Sequence, residues 1–274
     1  MPTPTDKAPE YDPYLKAYHA AFVPELEDAI RRLPLSPDAW VLDCPCGDGF
    51  YAAMFAGHMS SGTLVVADIS DYYLTRARDA VRTRATRIAV EFTRADAYAL
   101  PFDDNSFDMV WCAQSMISLD NPVRALREMA RVVKLGGLVA VLETDEYHHV
   151  LLPWPISLEL ALQQAIRSAC KRRYGSGAKF AQSRKLRGEF VEAGLTPTRK
   201  TTIAADRAAP FGPAEREFLS RHFEYLRAFV GKELTGHELE EYGRETDPAN
   251  PESLLTRPDA ELTCLATISQ ATKS

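Results

Sequence analysis

No apolar run in the 274-residue chain approaches the roughly 20 residues needed to cross a bilayer, so no membrane span is expected. Cysteine is scarce and odd in number, at five, and Cys44, Cys46 and Cys112 fall on or beside apolar runs that read as buried strands. A secreted disulfide framework is thereby disfavoured, and a reducing, cytoplasmic setting is expected. Positive charge is also in deficit: 32 Lys and Arg stand against 38 Asp and Glu, for a net charge of −6. A protein devoted to the phosphate backbone of nucleic acid would be expected to carry the opposite balance. The basic clusters "RRLP" and "CKRRYG" lack aromatic interleaving and read as solvated helix ends. Repeats and low-complexity tracts are missing too. The opening "MPTPTDKAPEYDPY" is polar and proline-rich, and is expected to be neither signal peptide nor anchor.

What is present is alternation. "WVLDC", "TLVVADIS", "IAVEFTRAD", "SFDMVWCAQ" and "GGLVAVLET" read as strands, and between them "FYAAMFAGHM", "DYYLTRARDAVRTRA" and "NPVRALREMARVV" read as helices. The last of these buries Leu126, Met129, Ala130 and Val133 and turns its arginines outward, and Gly136 and Gly137 are expected to end it. Strands that are nearly continuous in apolar residues imply helices on both sheet faces. The pattern therefore predicts an α/β fold, Rossmann-like and doubly wound, with a mostly parallel seven-stranded sheet. Ahead of it, "DPYLKAYHAAFVPELEDAIRRL" reads as one or two helices, with Asp12 as N-cap, Pro13 at the first position, and Tyr11, Tyr14 and Tyr18 on one face. After it come helices in "LELALQQAIRSACKRRYG" and "KFAQSRKLRGEFVEAGL", then a strand in "TPTRKTTIAAD". A helix in "PAEREFLSRHFEYLRAFVGKEL" and one opened by a Thr235–Glu238 capping box precede the final strand "ELTCLATISQA". The expected division is an N-terminal helical lid (1–37), a core (38–205), an inserted helical cap (206–259) and a last core strand with its tail (260–274).

The stretch "VLDCPCGDGFYA" (residues 41–52) decides what the core holds. Its two thiols have the wrong spacing for a C-x₂-C metal arm, and no second pair is near; no metal is expected. A redox pair would want C-x-x-C at a helix start. A strand-to-helix turn, with glycines that let a ligand approach the backbone, fits the position. The dinucleotide fingerprint G-x-G-x-x-G fails, because Phe50 and Tyr51 follow Gly49.

"VLDCPCGDG" resembles motif I of the class I S-adenosylmethionine (SAM)-dependent methyltransferases, an apolar pair followed by D-x-G-x-G-x-G, with Asp43, Cys46, Gly47 and Gly49 at matching places. "VVADIS" carries an acid, Asp68, where the family binds both ribose hydroxyls. "RADAYALPFDDNSFDMVWC" is similar to the family's D-A-x-x-L-P-F-x-D-x-S-F-D-x-V run, and "REMARVVKLGGLVAVLE" to its R-V-L-K-P-G-G signature. The resemblance covers residues 38–145 and is nearest to the ubiquinone/menaquinone-type and small-molecule branch. One departure stands out: Pro45 replaces the first motif glycine, so the bend is expected to fall on Cys46 to Gly49.

The resemblance implies SAM as cofactor and methyl transfer to a small organic acceptor, on O, N or C, as in quinone or specialised metabolism. It places Asp43, Cys44, Cys46, Gly47 and Gly49 around the methionine end, and Asp68 on the ribose. Ile69 would lie against the adenine face, Asp96 with the Ala97 backbone on the adenine edge, and Gln114 and Ser115 where the methionine and acceptor pockets meet. An acceptor proton calls for a base near neutrality, which makes histidine the first suspect. "ETDEYHHV" at the rim offers Glu143, Asp145, Tyr147, His148 and His149; His148 and His149 are the catalytic candidates there. Tyr18 and His19, beside Tyr14, are candidates from the lid, and His222, Phe223 and Tyr225 from the cap. Three other readings stay open: a SAM-binding enzyme of non-methyl chemistry, a silent partner subunit of the same fold, and a nucleotide oxidoreductase. A monomer or homodimer is expected.

Overall fold

In the computed structural model, which describes residues 12–84, 87–175 and 181–274, the alternation becomes a layered α/β structure. Tyr11 and the first residues of "KFAQSRK" lie outside the described residues. Five parallel strands lead: β1 (Trp40–Asp43), β2 (Thr63–Asp68), β3 (Ala89–Arg94), β4 (Phe107–Ala113) and β5 (Val133–Glu143). They are ordered β3-β2-β1-β4-β5. All six residues of β2 are buried, because helices cover both faces of the sheet. Alternate side chains feed two cores, with Val41, Leu64 and Trp111 on one face and Leu42, Val65 and Val110 on the other.

The helices α3 (Phe50–His58), α4 (Asp71–Arg82) and α5 (Pro122–Val132) follow β1, β2 and β4. Ser70 caps α4 and Asn121 caps α5, each accepting a backbone N–H of the first turn. Gly136 and Gly137 do not end α5, as the sequence suggested. The chain passes from α5 into β5 at Val133, and the register jumps from Phe107↔Val133 to Met109↔Leu138. The intervening "KLGG" bulges out, with Gly136 at φ 75°, and a Cβ at Gly137 would lie 2.8 Å from Val133 Cγ2.

Beyond β5 the chain adds β6 (Val150–Leu151), α6 (Ile156–Tyr174), α7 (Gln182–Glu192), β7 (Leu195–Ala208), α8 (Pro213–Val230), α9 (Gly236–Thr246) and β8 (Glu261–Lys273). Antiparallel β8 pairs with β5 on one side and along its whole length with β7 on the other. Among the described residues the sheet thus has eight strands, not seven. The eighth, β6, continues along β8 where β5 stops, through Val150↔Cys264 and Leu151↔Thr263. Two residues are too short to leave a periodic signal. The capping box at α9 forms as the sequence predicts.

The two N-terminal helices are α1 (Asp12–Ala21) and α2 (Val23–Arg31). Asp12 is the first described residue of α1 rather than its cap, and its carboxylate lies 2.6 Å from Lys16 Nζ. Against α8, the Tyr14 ring stacks on Tyr225 at 5.3 Å and on Phe218 at 5.7 Å. Arg207 of β7 anchors α2 with a two-pronged pair to Glu25, at 2.7 and 3.0 Å, and donates to the Ala21 carbonyl. The helices α1 and α8 therefore meet over the C-terminal ends of the parallel strands.

Candidate active site

Strand order reverses between β1 and β4, and in open α/β sheets ligands bind at the carboxyl ends of the strands at such a point. The turn after β1 is built there. Cys44 N–H donates to the Trp111 carbonyl and Cys46 N–H to the Ala67 carbonyl, both at 2.9 Å, which stitches the turn to β4 and β2. The Cys44–Pro45 peptide is cis, and the left-handed backbone falls on Gly47 (φ 52°) and Gly49 (φ 82°), after the proline, as expected. A Cβ at Gly47 would meet nothing within 4 Å, so open space faces this backbone. The side chains of Cys44 and Cys46 are buried in the cores, and burial pushes both thiols up. Packed thus, they offer a ligand only their backbone.

Two carboxylates close the turn. Asp68, at the end of β2, accepts Gly47 N–H at 3.1 Å on Oδ2 and Ser70 N–H at 2.9 Å on Oδ1. A carboxylate has about four lone-pair sites, so acceptor capacity remains for a vicinal diol. Burial raises its pKa while the backbone donors hold it down. Asp43, at the end of β1, is 1% exposed, and its Oδ2 has no hydrogen-bond partner. Burial, then the charges of Asp68 and Asp48, push its pKa well up. An orphaned buried carboxylate oxygen calls for a cationic or strongly donating ligand group. Ile69 is 42% exposed beside Asp68. Asp96 forms a turn with Tyr98 N–H on Oδ1 at 2.9 Å, and Ala97 is buried next to it. Orphaned acid, open glycine, diol-ready carboxylate and exposed isoleucine together fit a nucleoside that also bears an ammonium group, as SAM does.

Gln114, past the end of β4, has φ 50°, unusual without glycine and a pointer to function. His19 Nε2 meets its Oε1 at 2.8 Å, and the His19 ring stacks on Phe50 at 3.9 Å. Helix α1 is thereby fastened to the first turn of α3. Burial lowers the His19 pKa, with the Gln114 bond opposing.

On the far side of Gln114 lies a cavity of about 140 Å³. Tyr14, Leu15 and Tyr18 of α1 form one wall and Tyr225 of α8 another; Glu143 at the end of β5 closes it with Thr144, Glu146 and His149 from the loop that follows. Tyr14 Oη and His149 Nε2 are 2.5 Å apart, while His149 Nδ1 is buried without a partner. The backbone beside it is held by β6, where Leu265 N–H donates to the His149 carbonyl at 2.8 Å. Of the four catalytic candidates, Tyr18 and His149 line this cavity. His19 is not among the described lining residues; its ring meets Gln114 and stacks on Phe50. His148 is turned away, because its half-exposed ring sits 2.8 Å from Arg184 Nη2 and lines a separate groove. His222 lies behind His149, with ring centroids 6.0 Å apart. Burial, with some help from His149, drives its pKa down to about 3 and keeps it neutral.

Glu143, expected at the rim, is a buried part of this cavity's wall. It is 2% exposed, accepts Met116 N–H at 2.7 Å, and burial lifts it to about 8, with the charge of Glu146 adding to the rise. A carboxylate directly after five buried apolar residues was the available signal. Because the folded pKa exceeds the ordinary 4.5, this group contributes stability that is full below that value and lost as pH rises through about 8. Across that window the expected slope is about 1.4 kcal/mol per pH unit. Thermal melts of Glu143→Gln should lack this alkaline loss, and identical pH slopes in variant and wild type would refute it.

Comparison with known proteins points the same way. A model described as a methyltransferase domain matches residues 42–141, from β1 to β5. The ubiquinone/menaquinone biosynthesis C-methyltransferase UbiE of Idiomarina loihiensis is 41% identical over 104 residues, which cover 38% of this chain and 41% of that protein. The curated relatives that match first are thus covered over only about two fifths of their length. An uncharacterised methyltransferase of Schizosaccharomyces pombe is 30% identical over 201 residues, 70% of each chain. Among solved structures, BH2331 from Bacillus halodurans shares the fold with a TM-score of 0.57 at 19% identity, over 90% of this chain and 98% of that one. With a relative 30% identical across 70% of each chain, the chain belongs to the class I SAM-dependent methyltransferases.

Proposed function

We propose that the protein transfers a methyl group from SAM to a small organic acceptor held in the cavity beyond Gln114. The observation that carries this is the pair of buried carboxylates on the turn: Asp68 joined to Gly47 N–H, and Asp43 with Oδ2 unpartnered. Asp68 would take the ribose hydroxyls, and Asp43 the methionine ammonium. Asp96 and the Ala97 backbone would read the adenine edge, with Ile69 against its face. SAM supplies a methyl group already activated on a sulfonium, so the protein's task is alignment and exclusion of water. The His19–Gln114 contact keeps α1 down over the site, and Tyr18 walls the acceptor side. Tyr14, whose Oη is 2.5 Å from His149 Nε2, would accept the acceptor's proton on its hydroxyl as it passes its own to that nitrogen. Five free, buried cysteines favour a reducing compartment such as the cytoplasm. No described helix is long and apolar enough to cross a membrane.

Calorimetric titration tests the first half: SAM and S-adenosylhomocysteine should each bind at one site, and NAD should not. Methyl-labelled SAM with a panel of small acceptors tests the second. There His149→Ala should lower turnover about a hundredfold, with S-adenosylhomocysteine affinity unchanged. Full turnover in the variant would leave alignment alone as the catalytic device.

A further inference from the structure

The acceptor cavity has a lopsided chemistry. Among the described residues four tyrosines line it, Tyr14, Tyr18, Tyr174 and Tyr225, together with Glu143 and Glu146, and no lysine or arginine does. Neither glutamate forms an ion pair among the described residues, although the protein pairs acids readily elsewhere, as in Arg184–Asp145 and Arg207–Glu25. The neighbouring groove holds the opposite sign, with Arg167, Lys171 and Arg184. The two carboxylates also differ. Glu143 is engaged by the Met116 backbone, whereas Glu146, among the described residues, accepts from Thr144 Oγ1 at 2.5 Å and is partly exposed.

The geometry points to an organic cation as the acceptor: a small molecule bearing a protonated amine, seated among the tyrosine rings with Glu146 as its counter-charge. This rests on the methyl-transfer reading, since it names the substrate class of that site. Ring faces attract a cation through their quadrupole, most strongly where water is excluded. Tyr14 and Tyr225, stacked at 5.3 Å with 6° between planes, form one such aromatic wall. Burial, and then the charge of Glu146, raise the Tyr14 and Tyr225 hydroxyls, so the rings stay neutral. An anionic acceptor would meet two carboxyl groups and, among the described lining residues, no cation. A neutral one would leave Glu146 without a charged partner as water departs. The volume suits a single ring with a short arm, since cavities near 150 Å³ hold benzene.

Three probes of one shape and different charge test this on the full chain at neutral pH, with and without saturating S-adenosylhomocysteine: phenethylamine, 2-phenylethanol and phenylacetate. Phenethylamine should bind about tenfold more tightly than 2-phenylethanol, with phenylacetate weakest. Glu146→Gln should cost the amine about tenfold and leave the alcohol and S-adenosylhomocysteine within about twofold, which also shows the variant folded. Equal affinities, a preference for alcohol or acid, no amine binding at millimolar concentration, or an amine preference that survives Glu146→Gln would each overturn the proposal. Failure of S-adenosylhomocysteine to bind the wild type would instead overturn the methyl-transfer reading, and the amine titration without it would still decide the cavity's charge preference.

Discussion

Asp68→Ala is expected to weaken SAM and S-adenosylhomocysteine binding by about a hundredfold or more. The carboxylate would accept two ribose hydroxyls, and hydrogen bonds to a charged group contribute about 1.5 to 3 kcal/mol each. The substitution also strips an acceptor from the Gly47 and Ser70 N–H groups, so the turn loses the clasp that joins it to β2. Asp68→Asn separates the two effects, because its carbonyl can still accept from the backbone while the charge is gone; an intermediate loss is expected. Burial raises the Asp68 pKa, so binding should weaken on acidification sooner than an ordinary aspartate would allow. Calorimetry at several pH values reads both outcomes. Unchanged affinity in a folded Asp68→Ala protein would remove the ribose assignment.

The second large effect concerns Gly49, and it is structural. A Cβ there would sit 2.4 Å from Ala77 Cα and 2.7 Å from Ala77 Cβ, on a backbone at φ 82°. Left-handed strain costs roughly 1 to 2 kcal/mol and forced overpacking roughly 1 to 3. Gly49→Ala should therefore lose about 2 to 5 kcal/mol, a large part of the stability of a typical domain. Gly47→Ala is the matched control: its φ is also positive, at 52°, but its Cβ would enter open space. It should lose only about 1 kcal/mol of stability and lose ligand affinity instead. Urea midpoints of the two variants check this, and a Gly49→Ala midpoint equal to that of Gly47→Ala would show that α3 and α4 can part at no cost.

Much of the core was legible because its signals are local. Asp43 and Asp68 each close a short apolar strand run, and the glycine-borne bend after Pro45 and the Thr235 capping box depend on residues within a few positions of one another. The acceptor side was less legible. The pairing of Tyr14 with His149 spans 135 residues, and no periodicity encodes it. His148 and His149 are indistinguishable in "ETDEYHHV"; a two-residue strand on β8 fixes the backbone at His149 and lets His148 swing out to Arg184. Glu146 gained its place in the cavity in the same way.

From composition and pattern alone came the parallel α/β sheet and its order of elements, because apolar period and turn-forming residues act over one strand or one helical turn; the chemistry expected at the strand-end acids came from the resemblance of the motifs to a known family. Which tyrosines, which histidine and which glutamates share the second cavity was decided only when α1 and α8 closed over the strand ends. That choice is made by packing between surfaces far apart in the chain, and it sets the cavity's charge as well as its shape.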